Sequence, residues 1–170
     1  MSELQAAVAL AQLERLDELV EYRLEAAKHF DKAIMGYEHI LRRQEAPQDA
    51  QNTWWAYSVV LNTDSPEVDW YKFRELFLAH GGDDVYACWK LTYTEDYFVD
   101  EVAQYDGVWQ RFGRQDQGQV MLGLCPTAEY LQPRMFQFKT NYWDVDEARA
   151  QAAILRQTVE EWAVISQSAV

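Results

Sequence analysis

An amphipathic pattern runs through the first 41 residues and constrains the fold more than any later feature. Ser2 is followed three residues later by Gln5, the spacing of a capping box, which predicts that a helix begins near residue 3. Apolar residues then recur every three or four positions as far as Leu41. A helix over residues 3–43 would be about 60 Å long, roughly twice the diameter of a small domain. One end would therefore extend beyond the core, unless Gly36 divides the segment into two helices joined by a kink.

The composition indicates a single globular domain. The 170 residues are 49% hydrophobic, which is enough for one buried core, and no apolar run approaches the length of a membrane span. The net charge of −13 opposes binding to nucleic acid or to an anionic membrane. Two cysteines and three scattered histidines predict no metal site. Acidic residues interrupt the apolar stretch of residues 1–20, so we expect no signal sequence and a cytoplasmic location.

Six further elements are predicted after the first helix, from aromatic and β-branched runs for strands and from helical spacing for helices. They are a strand over 53–61, a helix over 70–79 capped by Asp69, a strand over 85–93, a helix over 126–131, a strand over 135–138 and a helix from Asp144 or Asp146 to about Ile165. This order predicts an α/β fold of the α+β kind, with a long N-terminal helix followed by a small, largely antiparallel sheet whose one face is covered by helices. We divide it into a linking helix over 1–45 and a small α/β domain over 46–170, with a partly helical or irregular insertion at about 94–125.

The first residues carry a family resemblance. The string Met-Ser-Glu-Leu-Gln-Ala-Ala-x-x-Leu-Ala-Gln-Leu-x-x-Leu of residues 1–16 resembles the helix after the cofactor-lysine segment of DegT/StrS-type sugar aminotransferases, which use pyridoxal phosphate. Trp89–Tyr93 and Pro126–Arg134 are similar to two segments near the substrate end of that family. Gln137–Asn141 departs from the Leu-Pro-rich strand end of many relatives. The order of elements resembles the C-terminal part of a fold-type I aminotransferase.

The resemblance implies that the catalytic groups of the family precede this sequence. The Schiff-base lysine, the acid that pairs with the pyridine nitrogen and an Asn-x-Arg segment would all lie before residue 1. None of the five lysines stands in a matching motif, and the acids Asp83 and Asp84 directly after Gly81-Gly82 would repel a phosphate. We therefore expect pyridoxal phosphate in the complete family enzyme and none on this chain alone.

Seven residues are candidates for contact with substrate in the complete enzyme. The resemblance suggests that Trp89 stacks on a sugar, and that hydroxyl groups beside it donate to sugar oxygens, although the same residues fit the core side of a strand. Glu129 and Arg134 can orient a substrate group, but an ion pair between them is favoured. Lys139 and Asn141 can contact a phosphate of the sugar nucleotide, or they can simply be solvated. The candidates are Trp89, Lys90, Thr92, Tyr93, Arg134, Lys139 and Asn141.

Two functions from different classes follow. The resemblance implies the C-terminal domain of an aminotransferase that moves an amino group from an amino acid to a keto-sugar nucleotide, for surface polysaccharide or amino-sugar biosynthesis, inactive without its large domain. The alternative is a non-catalytic domain that binds a sugar nucleotide or a partner. The expected partner is the missing large domain or a second subunit. A homodimer is possible because the overhanging helix has apolar residues that need a surface to cover them, namely Leu4, Val8, Leu10 and Leu13.

Overall fold

The computed structural model describes residues 1–62, 70–87, 90–96 and 123–168. The chain divides into two compact units, the first comprising Met1–Tyr86 with Phe136–Val170 and the second Ala87–Met135. The α-helices of the described residues are α1 (Glu3–Glu14), α2 (Leu16–Ile34), α3 (Trp70–Ala79), α4 (Pro126–Leu131) and α5 (Val145–Ser168). The strands there are β1 (Leu41–Arg43), β2 (Tyr57–Leu61), β3 (Tyr86–Ala87) and β4 (Met135–Phe138), and Thr92–Thr94 form a 3₁₀ helix.

The capping box at the start of α1 is confirmed. The Gln5 amide donates to the Ser2 hydroxyl at 3.3 Å, and the Ser2 amide donates to the Gln5 side chain at 2.9 Å. The helical segment is divided at Arg15, whose backbone leaves helical geometry, and α1 buries none of its residues. Of these first two helices only α2 contributes to the core, through Ala26, Ala27, Phe30, Ala33 and Ile34.

The helical segment is shorter than predicted, because it ends at Ile34 and not at residue 43. Gly36 follows with a φ of +86°, a left-handed conformation that glycine adopts without steric cost. Arg156 of α5 donates to the Met35 carbonyl at 2.8 Å and so satisfies an acceptor at the end of α2. Leu41–Arg43, predicted to be helical, pair with β2 as a strand instead.

The strands form one sheet in the order β1-β2-β4-β3, and β1 is antiparallel to β2 with Leu41 opposite Leu61. Alternate side chains of β2 and β4 are buried, which places one face of the sheet towards the helices. The ring of Phe30 in α2 lies 5.4 Å from that of Phe138, and the ring of Phe73 in α3 lies 5.2 Å from that of Phe136. The predicted antiparallel sheet with helices over one face is confirmed.

The later helices agree with their predicted bounds more closely than the second predicted strand, over 85–93, does. α3 and α4 match their predicted bounds, and α5 begins after Asp144, whose carboxylate accepts from the amide of Asp146 at 2.8 Å. The predicted strand over 85–93 is wrong in extent, because among its described residues only Tyr86–Ala87 form a strand and Thr92–Thr94 form the 3₁₀ helix. The Asp69 cap and residues 97–122 of the insertion predicted at about 94–125 lie outside the described residues.

Candidate functional site

A pocket of about 520 Å³ lies in the second unit, between residues 90–93 and α4. This volume falls within the range of small-molecule sites. Three of the predicted substrate residues, Lys90, Thr92 and Tyr93, line it together. We call it the α4 pocket; its remaining lining residues are Leu91, Cys125, Ala128, Leu131, Gln132 and Met135.

The carboxylate of Glu129 joins the two sides of the α4 pocket. It accepts from the Tyr93 hydroxyl at 2.5 Å, from the Gly123 amide at 2.7 Å and from the Cys125 amide at 3.2 Å. The bond from Tyr93 and the bonds from the amides hold the pKa of Glu129 below its usual range. Burial, together with the bond to Glu129, raises the pKa of Tyr93 to about 12. At neutral pH the pair is therefore a neutral phenol that donates to an ionised carboxylate.

The ion pair predicted between Glu129 and Arg134 is wrong. Arg134 instead donates to the Tyr130 carbonyl at 2.8 Å, and its guanidinium lies 4.3 Å from the centre of the Tyr130 ring. The amides of residues 123–125 outcompete Arg134 because they converge on Glu129 at hydrogen-bonding distance within one turn of chain.

Lys90 keeps a positive charge at the edge of the α4 pocket. Its ammonium donates to Asp96 at 2.9 Å, and this hydrogen bond with the charge of Asp96 raises the pKa of Lys90. Both groups are well exposed, so the pair adds little to stability. An ammonium has three hydrogens and can therefore donate to an anionic ligand while it remains paired.

Three other predicted substrate residues, Arg134, Lys139 and Asn141, do not line the α4 pocket. Lys139 belongs to the first unit, where its ammonium lies 3.6 Å from Asp83 and 4.6 Å from the centre of the Tyr142 ring. Asn141 lines a separate groove of the first unit. Trp89 lies outside the described residues.

That groove measures about 570 Å³ and has mostly apolar walls. Its lining includes Leu13 and Leu16 of the first two helices and Trp143. Trp143 is 67% exposed and has the Arg15 guanidinium 5.7 Å from its ring centre. We call it the α1 groove; its lining residues are Ala9, Gln12, Leu13, Leu16, Leu19, Val20, Tyr22, Arg23, Asn141, Tyr142 and Trp143. The apolar stripe of the first helix indicated this groove in the sequence, whereas no sequence pattern indicated that Trp143 would line it.

The comparisons with known proteins place the chain in a family. The model of the DegT/DnrJ/EryC1/StrS aminotransferase family matches residues 1–104 of the 170. The chain belongs to this aminotransferase family. A comparison with curated proteins gave no match.

Solved structures of two aminotransferases and a dehydratase share the fold. The sugar aminotransferase CalS13 from Micromonospora echinospora is 16% identical, with a TM-score of 0.60 over 89% of this chain and 33% of its own. A DegT/DnrJ/EryC1/StrS aminotransferase from Brucella abortus is 18% identical, with a TM-score of 0.61 over 93% of this chain and 35% of its own. The GDP-4-keto-6-deoxy-D-mannose-3-dehydratase of E. coli, solved with bound hydrated pyridoxal phosphate, is 19% identical, with a TM-score of 0.53 over 88% of this chain and 34% of its own. The chain thus spans about a third of the length of these relatives.

The described residues of this aminotransferase-family chain do not fit pyridoxal phosphate. A Schiff-base lysine must lose its proton to react, but Lys90, the one lysine that lines the α4 pocket, has its pKa raised by Asp96. Lys28 and Lys139 are paired with acids, and Lys32 and Lys72 lie exposed on helices. At Gly81-Gly82 a side chain on Gly82 would meet the ring of Phe77, so packing accounts for this glycine without a phosphate.

The described residues contain neither a metal-binding cluster nor a membrane-spanning helix. Within 1–62, 70–87, 90–96 and 123–168, no group of three or more His, Cys, Asp or Glu side chains is placed to hold a metal ion. No helix in this part of the chain is long and apolar enough to cross a membrane.

Proposed function

We propose that this chain forms the C-terminal part of a pyridoxal-phosphate-dependent aminotransferase that acts on a keto-sugar nucleotide. The observation that carries the proposal is the family match over residues 1–104, together with the length of the relatives, about two thirds of which has no counterpart here. The substrate class follows from the relatives, which include a sugar aminotransferase and a dehydratase of a GDP-linked keto sugar. The reaction would serve surface polysaccharide or amino-sugar biosynthesis in the cytoplasm, with glutamate as the amino donor.

In this proposal the α4 pocket holds part of the sugar nucleotide. Lys90 supplies a permanent positive charge for a phosphate, while Thr92 and Tyr93 supply hydroxyl groups for sugar oxygens. Leu91, Ala128 and Leu131 supply an apolar wall for the carbon face of the ring. Arg134, Lys139 and Asn141 do not line this pocket, and Trp89 lies outside the described residues, so a substrate contact of these four residues stays a prediction.

The cofactor chemistry belongs to residues outside this sequence. Pyridoxal phosphate, when bound to a family enzyme, supplies the electron sink for amino transfer. Since every lysine here is either paired with an acid or exposed on a helix, we propose that the chain alone is inactive. Its role is to hold the substrate against a cofactor held elsewhere.

The α1 groove gives that remaining part of the enzyme a surface on which to pack. Leu13 of the groove is 64% exposed, Leu4 of the same helix is 77% exposed, and burial of one such side chain is worth about 1.5–3 kcal/mol. Covering the stripe with the missing domain, or with a second subunit, would therefore stabilise the complete enzyme by several such contributions. Exposed leucines on one helix are otherwise unfavourable in a free monomer.

The proposal is tested in two steps. The DNA before the first codon, or a neighbouring gene, should encode a lysine-containing cofactor segment that ends in Asn-x-Arg. The product of that segment, mixed with this chain, should transfer an amino group from glutamate to a keto-sugar nucleotide, measured as release of 2-oxoglutarate. Each component alone is the control. If no ratio of the two components gave activity, this would contradict the proposal that a separate cofactor-binding part completes the enzyme.

A second function is favoured by the paired lysines. A non-catalytic domain that binds a sugar nucleotide or an aminotransferase partner needs no Schiff-base lysine, and none here is suitably placed. The two functions separate on the same DNA sequence, because a non-catalytic domain requires no cofactor segment beside it. Binding of a sugar nucleotide in the α4 pocket with no transferase activity in any mixture would favour this alternative.

A further inference from the structure

We propose that Glu129 is a positioning residue that makes Tyr93 a hydrogen-bond acceptor in the α4 pocket, so that the pocket selects a ligand presenting a hydroxyl hydrogen at this point. The inference rests on the proposed function, because it takes the α4 pocket as the place where the sugar binds. It also states the direction of the hydrogen bond: Tyr93 was expected from the family resemblance to donate to a sugar oxygen, whereas here it accepts from a sugar hydroxyl.

The direction of the bond between Tyr93 and Glu129 follows from the groups around the carboxylate. An ionised carboxylate only accepts hydrogen bonds, and that of Glu129 receives the amides of Gly123 and Cys125. These donors favour the ionised form, so the hydrogen in the 2.5 Å contact between Tyr93 and Glu129 belongs to the phenol. Tyrosine has one O–H, and here that hydrogen is directed to Glu129.

The phenol oxygen therefore keeps only lone pairs for a ligand. A tyrosine hydroxyl without such a partner rotates to donate or to accept as a ligand requires. With Glu129 in place, a ligand carbonyl or ether oxygen opposite Tyr93 would meet an acceptor, whereas a ligand hydroxyl would complete a chain of two hydrogen bonds that ends on a charge.

Lys90 provides the opposite polarity on the same wall. One of its ammonium hydrogens is directed to Asp96 at 2.9 Å, and the others can donate to ligand oxygens. Leu91, Ala128 and Leu131 complete the pocket with apolar surface. An anionic oxygen near Lys90, a hydroxyl hydrogen at Tyr93 and a carbon face between them are the features of a phosphorylated sugar.

The first test measures the positioning of Tyr93 without a ligand. 3,5-Difluorotyrosine placed at position 93 ionises near neutral pH, so its titration can be followed by absorbance while the protein is folded. We expect a higher apparent pKa with Glu129 present than in the Glu129→Gln variant, because the carboxylate disfavours the phenolate. Equal titration at position 93 in both backgrounds would overturn the positioning role.

The second test measures the selection. GDP-mannose and UDP-glucose, each with its series of monodeoxyfluoro analogues, are titrated into the full chain by nuclear magnetic resonance. One analogue, in which fluorine replaces the hydroxyl opposite Tyr93, should bind about 3- to 10-fold more weakly, the value of one hydrogen bond. Tyr93→Phe should abolish this difference, and the matched control Tyr130→Phe should keep it.

The outcomes distinguish the two proposals. If the probes shift the signals of Lys90, Thr92 and Tyr93, but no analogue differs or Tyr93→Phe leaves the difference intact, the selection is overturned and the proposed site stands. If neither probe shifts those signals, the α4 pocket is not the sugar site, and both the proposed site and the selection fail.

Discussion

Gly82→Ala should destabilise the first unit, although alanine is the smallest possible side chain at this position. Gly82 follows α3, and its amide donates to the Phe77 carbonyl at 3.0 Å. An added Cβ would lie against the Phe77 ring, 2.6 Å from Cζ and closer still to Cε1. Phe77 is 1% exposed and its ring lies edge-on, 5.2 Å from that of Phe138, so it has no free space into which to move.

The magnitude follows from two opposing contributions. Overpacking of a full core costs about 1–3 kcal/mol. Alanine also lowers the conformational entropy of the unfolded chain relative to glycine, which stabilises the folded state by about 0.4–1 kcal/mol. The expected net loss is about 0.5–2 kcal/mol, which would lower the melting temperature of a chain of this size by a few degrees.

Urea unfolding of a double-mutant cycle tests this reasoning. The cost of Gly82→Ala should fall by about 1 kcal/mol in a Phe77→Leu background, because the smaller side chain leaves room for the new methyl group. Gly81→Ala is the matched control, since Gly81 has a φ of +89° and open space around it. Its cost of about 1–2 kcal/mol comes from backbone strain and should be the same in both backgrounds. An unchanged cost of Gly82→Ala in the Phe77→Leu background would refute the steric account.

Three further predictions concern other parts of the chain. Thr140→Val should cost about 1–3 kcal/mol in urea unfolding, because the fully buried Thr140 hydroxyl donates to the Trp54 carbonyl at 2.6 Å and its loss leaves a buried acceptor unpaired. The lowered pKa of Glu129 stabilises the fold above the ordinary glutamate value of about 4.3, and this contribution is lost as the pH falls through the lower folded-state value; urea midpoints measured against pH should show an acid limb that Glu129→Gln reduces. Leu13→Ser should leave the stability of this chain within about 0.5 kcal/mol, because Leu13 is exposed, but should weaken association with the cofactor-binding part in a pull-down titration.

Matched controls separate these effects from general damage. Thr127→Val changes an exposed threonine of α4 and should cost little, so an equal loss at Thr140 and Thr127 would contradict the buried hydrogen bond. Ile165→Ser removes an exposed apolar side chain from α5, outside the α1 groove. If it weakens association as much as Leu13→Ser does, the α1 groove is not the docking surface.

Much of the fold could be predicted because the signals were local. The Ser2–Gln5 capping box, the apolar spacing of α3 and the proline that opens α4 each specify an element over a few residues. The end of the first helical segment was mispredicted because the apolar spacing continues through Ile40 and Leu41, and both are buried, but as part of a loop and a strand. Apolar periodicity reports that a residue is buried without reporting which element buries it.

The candidate site was predictable only in part. The segment 90–93 and the segment around α4 were both associated with substrate by family resemblance, and the structure brings Lys90, Thr92 and Tyr93 into one pocket. The partner of Glu129 was not predictable from the sequence. Arg134 is closer in sequence than Tyr93, but a helix of six residues directs Glu129 back to the amides at its own start.

The sequence by itself determined the family, the capped first helix and the composition of a core rich in aromatic residues. These are properties of short segments, in which neighbouring residues specify backbone geometry and burial. The tertiary structure alone decided that the first helical segment breaks at Arg15, that its leucines stay exposed beside Trp143, and that Tyr93 donates to Glu129. Each of these depends on groups that the folded backbone brings together from distant positions, and side-chain hydrogen bonds and packing across such distances leave no period in the sequence.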